Sequence, residues 1–228
     1  FYSEKHLKEV FEKLEDYKKM NLDVNTFFEM QGMVGSICNN PEDYASFYHN
    51  YKGRHYRHDQ VHNLFGYYMT RSASEAFERY VPEKRILLFS RASYIGMHRF
   101  GGIWQGDNAS WWSHLKMNVK MMPSLNMCGF LYTGADAGGF GNDTTEDLML
   151  RWLEFAVFTP LLRNHSARGT RRQEVYRFSH VEKFADVIGV RYQILPYIYS
   201  EYMKAALQNT MMFNPLSFLY GEDALAGQ

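Results

Sequence analysis

Residues 85–133 read RILLFSRASYIGMHRFGGIWQGDNASWWSHLKMNVKMMPSLNMCGFLYT, and their periodicity decides the fold class. Residues 85–89 form a short, strand-like apolar run, residues 111–121 carry apolar side chains at helical spacing, and residues 127–133 are strand-like again. Further along, residues 146–158 read as helix, 159–163 as a short strand and 181–207 as a long apolar helix with a kink expected at Pro196. Strands alternating with helices predict an α/β fold with a parallel sheet.

N-terminal to this region, Leu7, Val10, Phe11, Leu14 and Tyr17 recur at three- and four-residue steps. Glu4, Lys5, Lys8, Glu9, Glu12 and Lys13 fill the opposite face, so an amphipathic surface helix is expected from Ser3 onward. A Gly- and Asn-bearing loop is expected over residues 32–41, followed by an aromatic and basic stretch. A second helix, marked by Val61, Leu64, Phe65, Tyr68, Met69 and Ala76, should end near Tyr80 because Pro82 stops it.

Composition narrows the function classes. The chain has 228 residues, 46% hydrophobic and 22% charged, which is globular rather than disordered composition. Its 25 basic and 25 acidic residues balance, so no global field recruits polyanions, and nucleic acid is not an expected partner. The longest uncharged stretch, 121–135, contains Pro123, Ser124, Asn126 and Gly129 and is too short and polar to span a bilayer. Cys38 and Cys128 have no metal-ligand or CxxC context, so buried reduced thiols and a cytoplasmic location are expected.

The chemistry-bearing residues fall where strand-like runs end: Ser90 and Arg91, then Asp107, then Asp136, then His165. This is the placement that the catalytic face of a (β/α)8 barrel produces. Asp107 stands out within FGGIWQGDNASWW, residues 100–112, where glycines permit a turn and three tryptophans surround one carboxylate. Aromatic rings stack on sugars and a carboxylate can protonate a departing oxygen, although an Asp here could equally cap the following helix.

Two other clusters are weaker. His55, His58 and His62 have spacings that would align three imidazoles on one helix, but Arg54 and Arg57 interleave with them, and no metal site is expected. The basic run RNHSARGTRR, residues 163–172, reads as a loop whose arginines hold acidic neighbours rather than as a phosphate patch. The GGFG of residues 138–141 lacks the spacing of a dinucleotide or nucleotide-phosphate loop.

Five segments in order, VHNLFG (61–66), SRAS (90–93), WQGDN (104–108), GADAGGF (134–140) and LLRNHS (161–166), resemble the catalytic domain of glycoside hydrolase family 31, the α-glucosidases and α-xylosidases. The resemblance implies a partial TIM barrel, roughly strands five to eight with their helices over residues 1–207, entering a β-rich C-terminal domain over 208–228. It implies a retaining, exo-acting α-glucosidase that takes an oligosaccharide and needs no metal or organic cofactor. An α-xylosidase of the same family, or a non-catalytic carbohydrate-binding module, remains the alternative.

Residue by residue, the resemblance makes Asp107 the general acid/base and Trp104 the aromatic of the sugar pocket. It has Arg91 and His165 bind sugar hydroxyls, makes Phe140 a pocket wall, and leaves Asp136 to brace the pocket by pairing with Arg91. One departure stands against it. The family's nucleophile lies in a segment resembling WxDMNEP, which this sequence lacks; the nearest acids, Glu29 and Asp23, sit in a helix-like and a loop-like context. The expectation is a chain that begins just after the nucleophile and lacks the N-terminal half of the barrel.

Overall fold

The computed structural model describes residues 3–19 and 40–222, together with residues 26, 29, 30, 32, 33 and 35. Cys38, Asp23 and much of the loop read over 32–41 lie outside the described residues; Gly32, Met33 and Gly35 are helical. The chain divides into two compact units, Phe1–Phe65 and Gly66–Gln228.

In the first unit, helix α1 (Glu4–Tyr17) begins where the Ser3 side chain accepts the His6 N–H, an N-cap that the Ser-Glu start anticipates. Helix α2 (Pro41–Ser46) is capped by Asn40, whose Oδ1 accepts the N–H groups of Glu42 and Asp43. The aromatic and basic stretch is a hairpin of β1 (Tyr48–Tyr51) and β2 (Arg54–Arg57), turned at Lys52 and Gly53, both with positive φ. His55 therefore lies on a strand, and the three histidines do not share one helix. Helix α3 (His58–Val61) instead carries the buried His58, whose Nδ1 lies 2.9 Å from His49 Nε2.

The second unit opens within helix α4 (Leu64–Tyr80), which ends ahead of Pro82 as expected. Its centre is a row of short parallel runs. Ser90 N donates to Gly102 O at 3.0 Å and Gly102 N to Leu88 O at 2.8 Å. Strand β3 (Ile103–Trp104) pairs in parallel with β4 (Thr133–Gly134), in the register Ile103–Thr133 and Trp104–Gly134. Strand β5 (Asp136–Ala137) then pairs in parallel with β6 (Arg163–Asn164). Because Tyr132 and Gly134 carbonyls accept from Ile103 and Gln105 while Thr133 O accepts from Leu161 N, the run 132–137 is flanked on both sides. The order is residues 88–90, 102–105, 132–137 and 161–164, all parallel.

The strands differ from the expected runs. Residues 85–89 make only a single bridge, Phe89 to Gly102, rather than a strand. Helix α5 (Trp112–Met127) runs through Pro123 instead of stopping near residue 121, so its last turns occupy the start of the strand expected over 127–133. Pro keeps a helical φ and costs one backbone donor, which this helix absorbs. Cys128 is consequently an exposed C-cap residue, not a buried thiol. The strand expected over 159–163 lies slightly later, at Arg163–Asn164.

Helix α6 (Glu146–Ala156) supplies the core: Leu148, Met149, Trp152, Leu153 and Ala156 are buried with Ala137, Val157, Phe178 and Phe184. Thr145 caps it by accepting the Leu148 N–H. Helix α7 (Val181–Gln208) continues unbroken through Pro196 and sends Arg191 back to α6, where its guanidinium donates to the carbonyls of Val157, Thr159 and Pro160. Val157 is the C-cap of α6, so its carbonyl has no partner within the helix. Residues 208–222 hold the short helix α8 (Leu216–Leu219) and no strand. Among the described residues no helix is long and apolar enough to cross a membrane.

The parallel row requires glycine at two crossings, Gly102 against Tyr132 and Gly134 against Leu161. A Cβ on Gly134 would stand 2.0 Å from Leu161 O, a backbone atom that cannot swing away. Gly189, inside α7, has nothing within 4 Å of its would-be Cβ. Gly134→Ala should therefore cost about 3 kcal/mol or more by forcing two strands apart, whereas Gly189→Ala should be neutral or stabilise by up to ~1 kcal/mol. Denaturant midpoints of the two variants check this, and equal midpoints would refute the close-approach argument.

Candidate active site

Every sequence-expected site residue lies in the second unit, on or just after one of the parallel runs. Arg91 follows the 88–90 run, Trp104 ends β3 and Asp107 follows it by three residues. Asp136 opens β5, Phe140 lies in the loop beyond it, and His165 follows β6.

The loop carrying Asp107 is fixed from beneath. Gln105 Nε2 donates to Asn118 O at 3.3 Å, and Asn108 Nδ2 donates to Asn118 Oδ1 at 3.0 Å, joining both neighbours of the Gly106–Asp107 turn to helix α5. The buried Asn108 also offers its carbonyl to Phe140 N at 2.6 Å and Gly141 N at 2.9 Å. One asparagine thereby ties the Asp107 turn to the Phe140 loop, while the Asp107 carboxylate itself stays 48% exposed.

Around that carboxylate the side chains form a connected set. Arg91 Nη1 donates to Asp107 Oδ2 at 3.3 Å, with both partners about half exposed. The Arg91 guanidinium carbon lies 6.0 Å from the centre of the Trp104 ring, and Phe89 meets the same ring edge-on at 5.9 Å. The Phe140 and His165 rings lie 5.3 Å apart. His165 is exposed and Phe140 half-buried.

The pairing of Asp136 departs from expectation. Its side chain is fully buried and accepts from Arg163 Nε at 2.5 Å; Arg91 belongs to Asp107 instead. The reason is register: β5 and β6 pair Asp136 directly opposite Arg163, so the guanidinium reaches the carboxylate across one strand spacing. Burial pushes the Asp136 carboxyl above the usual range. The Arg163 hydrogen bond and charge and the nearby His165 oppose this, while the Asp107 charge adds to it. Those last two influences place Asp136 within electrostatic reach of both Asp107 and His165.

Arg163 and Gln173 are the two site residues that sequence reasoning did not single out. Arg163 sits inside LLRNHS, two residues before His165, where its own motif held the signal. Gln173 had none. It is buried, and its Nε2 lies within bonding distance of the Ala137, Gly139 and His165 carbonyls and of Asn164 Oδ1, so it staples the β5 loop to the β6 loop. Among the described residues no group of three or more His, Cys, Asp or Glu side chains could hold a metal ion.

Comparison with known proteins fits this geometry. The model of the glycosyl hydrolases family 31 TIM-barrel domain matches residues 2–201. The chain belongs to family 31. Alpha-glucosidase 2 of Bacillus thermoamyloliquefaciens is 35% identical over 77% of the chain, which spans 22% of that relative. A family 31 alpha-glucosidase from Bacteroides thetaiotaomicron superposes with a TM-score of 0.69 at 32% identity, covering 78% of this chain and 31% of that one. The glucose complex of a family 31 dextranase from Flavobacterium johnsoniae gives 0.73 at 26% identity, over 82% of this chain and 24% of that one. The chain thus spans less than a third of each, and the family assignment carries the TIM-barrel class of its parallel strands.

The buried pair makes stability depend on pH with a definite sign. A buried carboxyl whose proton affinity is raised in the folded state favours folding below its unfolded pKa, and that contribution is lost as pH rises through the folded value. In Arg163→Met only the His165 charge still opposes the upward push on Asp136, so the loss of stability should reach about 3 kcal/mol near pH 7 and shrink toward roughly pH 4. Adding Asp136→Asn should remove that pH dependence. Unfolding measured from pH 4 to 8 decides it; a loss equal at both ends would mean that Asp136 is not the titrating group.

Proposed function

We propose that the protein containing this chain is a retaining, exo-acting α-glucosidase that releases terminal α-linked glucose from oligosaccharides, with Asp107 as its general acid/base. Within that reading residues 1–207 are the second half of the barrel, strands five to eight with their helices. The observation that carries it is the setting of Asp107: a half-exposed carboxylate on a rigidly stapled turn, three residues beyond the end of a parallel strand, beside the Trp104 ring and the Arg91 guanidinium. The names of the relatives, alpha-glucosidases in bacteria, plants and animals, support the choice of bond and sugar.

In a retaining mechanism a second carboxylate, about 5 Å from the acid, attacks the anomeric carbon while the acid protonates the departing oxygen. The same acid then deprotonates water, and two inversions give net retention. No segment resembling WxDMNEP occurs in this sequence, so the nucleophile is assigned to a part of the barrel outside it. Arg91 fits the first step physically. Its bond to Asp107 is long and solvent-exposed, and exposed ion pairs of this kind contribute little, so an arriving sugar can take Arg91 for a hydroxyl and leave the carboxyl to its proton transfer. Phe140 and His165 close the other edge, His165 offering a ring nitrogen to hydroxyls and Phe140 an apolar wall.

In the full-length protein, Asp107→Ala should slow hydrolysis of a maltooligosaccharide by roughly 100-fold or more, yet slow an aryl α-glucoside with a good leaving group by less than about 10-fold, because acid assistance matters less there. Steady-state kinetics on both substrates measure this. Equal losses would remove Asp107 from the acid role, and oligosaccharide binding by the wild type without turnover would favour a carbohydrate-binding module.

A further inference from the structure

Trp104 is the ring nearest the Asp107 carboxylate in the chain, yet no hydrogen bond fixes it: its indole Nε1 is buried without a partner among the described residues. What holds the ring are the Phe89 edge and two guanidinium groups, Arg91 at 6.0 Å and Arg163 at 5.4 Å from the ring centre. The two arginines differ in how firmly they are themselves held. Arg91 is 63% exposed and shares a long bond with a carboxylate that is half in solvent. Arg163 is 29% exposed and bound through Nε to a carboxylate with no exposure at all. Its guanidinium carbon also lies 5.7 Å from the Phe89 ring, so one planar cation contacts both aromatic rings.

We propose that Arg163 is a positioning residue that sets the attitude of the Trp104 indole beside Asp107, acting as a flat clamp anchored by buried Asp136. The proposal rests on the reading of Trp104 as the pocket ring and Asp107 as the acid. A charge-assisted bond through Nε fixes the guanidinium plane, and a fixed plane can stack on an aromatic face in a way that a compact ammonium cannot. Cation and ring attract by up to a few kcal/mol when shielded from water. The chain of support is therefore β6 to Arg163, Arg163 to Asp136 on β5, and Arg163 to Trp104 on β3: three neighbouring strand ends aligned by one side chain. Shape, not charge alone, is what Arg163 contributes.

Arg163→Lys in the full-length protein keeps the positive charge and removes the plane. Its kcat/KM on an aryl α-glucoside should fall roughly 10- to 100-fold, because a misplaced pocket ring costs that much in alignment. In a Trp104→Leu background the same substitution should change kcat/KM by less than about 2-fold, since the clamp then has nothing to hold. Losses of equal size in both backgrounds would overturn the proposal and leave Arg163 acting through Asp136 alone.

A second readout does not depend on turnover. Comparing acrylamide quenching of the wild type with Trp104→Phe isolates the Trp104 fluorescence, which Arg163→Lys should make about 2-fold more accessible if the ring loses its clamp. Unchanged quenching overturns the clamp whatever the kinetics. If Arg163→Lys does not fold, Asp136→Asn, which weakens the bond anchoring the same guanidinium, must produce the quenching change instead, and its failure to do so is equally decisive. A wild type inactive on every α-glucoside would fail the proposed function, while the quenching comparison would still decide the clamp.

Discussion

The carboxylate of Asp136 is the point on which the rest of the site depends. It has no solvent exposure, sits on a central strand, and has one oxygen bonded to Arg163 and the other without a partner among the described residues. Taking such a group out of water is expensive unless a cation compensates it at close range. The parallel register supplies that cation by placing Arg163 directly across from Asp136, and Arg163 in turn reaches Trp104 and Phe89. A constraint of strand pairing is thereby converted into the placement of an aromatic ring two strands away.

The helices were the legible part of the fold. Ser3 and Thr145 each precede a run read as helix and each accepts a backbone N–H at its start, whereas the short helix capped by Asn40 went unread. Their caps and stripes are local, so the sequence carries them within a few residues. The parallel strands of the second unit were harder because each is only two residues long, too short for any apolar period to register. Helix α5 shows the competing physics: its buried face, Asn118, Met122 and Asn126, continues past Pro123, and the packed helix wins over the stop that proline signals in isolation. The Lys52–Gly53 hairpin went unread because the basic and aromatic residues around it suggested function before they suggested a turn.

Within the site, the positions were legible and the partnerships were not. Every candidate residue lies on or just after a strand run, near the ends of the apolar stretches, but Arg91 pairs with Asp107, not with Asp136. Pairing depends on which strands are neighbours and in what register, and neither quantity is written in the spacing along the chain. The same holds for Gln173, whose four close approaches join two loops that are far apart in sequence. A buried amide of this kind leaves no motif, since any loop position that reaches the right carbonyls will serve.

The two ion pairs of the site divide the work by their solvent exposure. Arg163 and Asp136 are shielded, so their attraction is strong, they must stay together, and they act as structure. Arg91 and Asp107 are open to water at a longer distance, so their attraction is weak and they can part when a ligand offers better bonds. The proposed role of Asp107 as an acid that exchanges protons in two successive steps calls for that difference: its carboxyl would have to be released while the Trp104 ring stays in place. Trp104 meets both arginines, one from each pair, which makes it the place where the rigid and the exchangeable halves of the site touch.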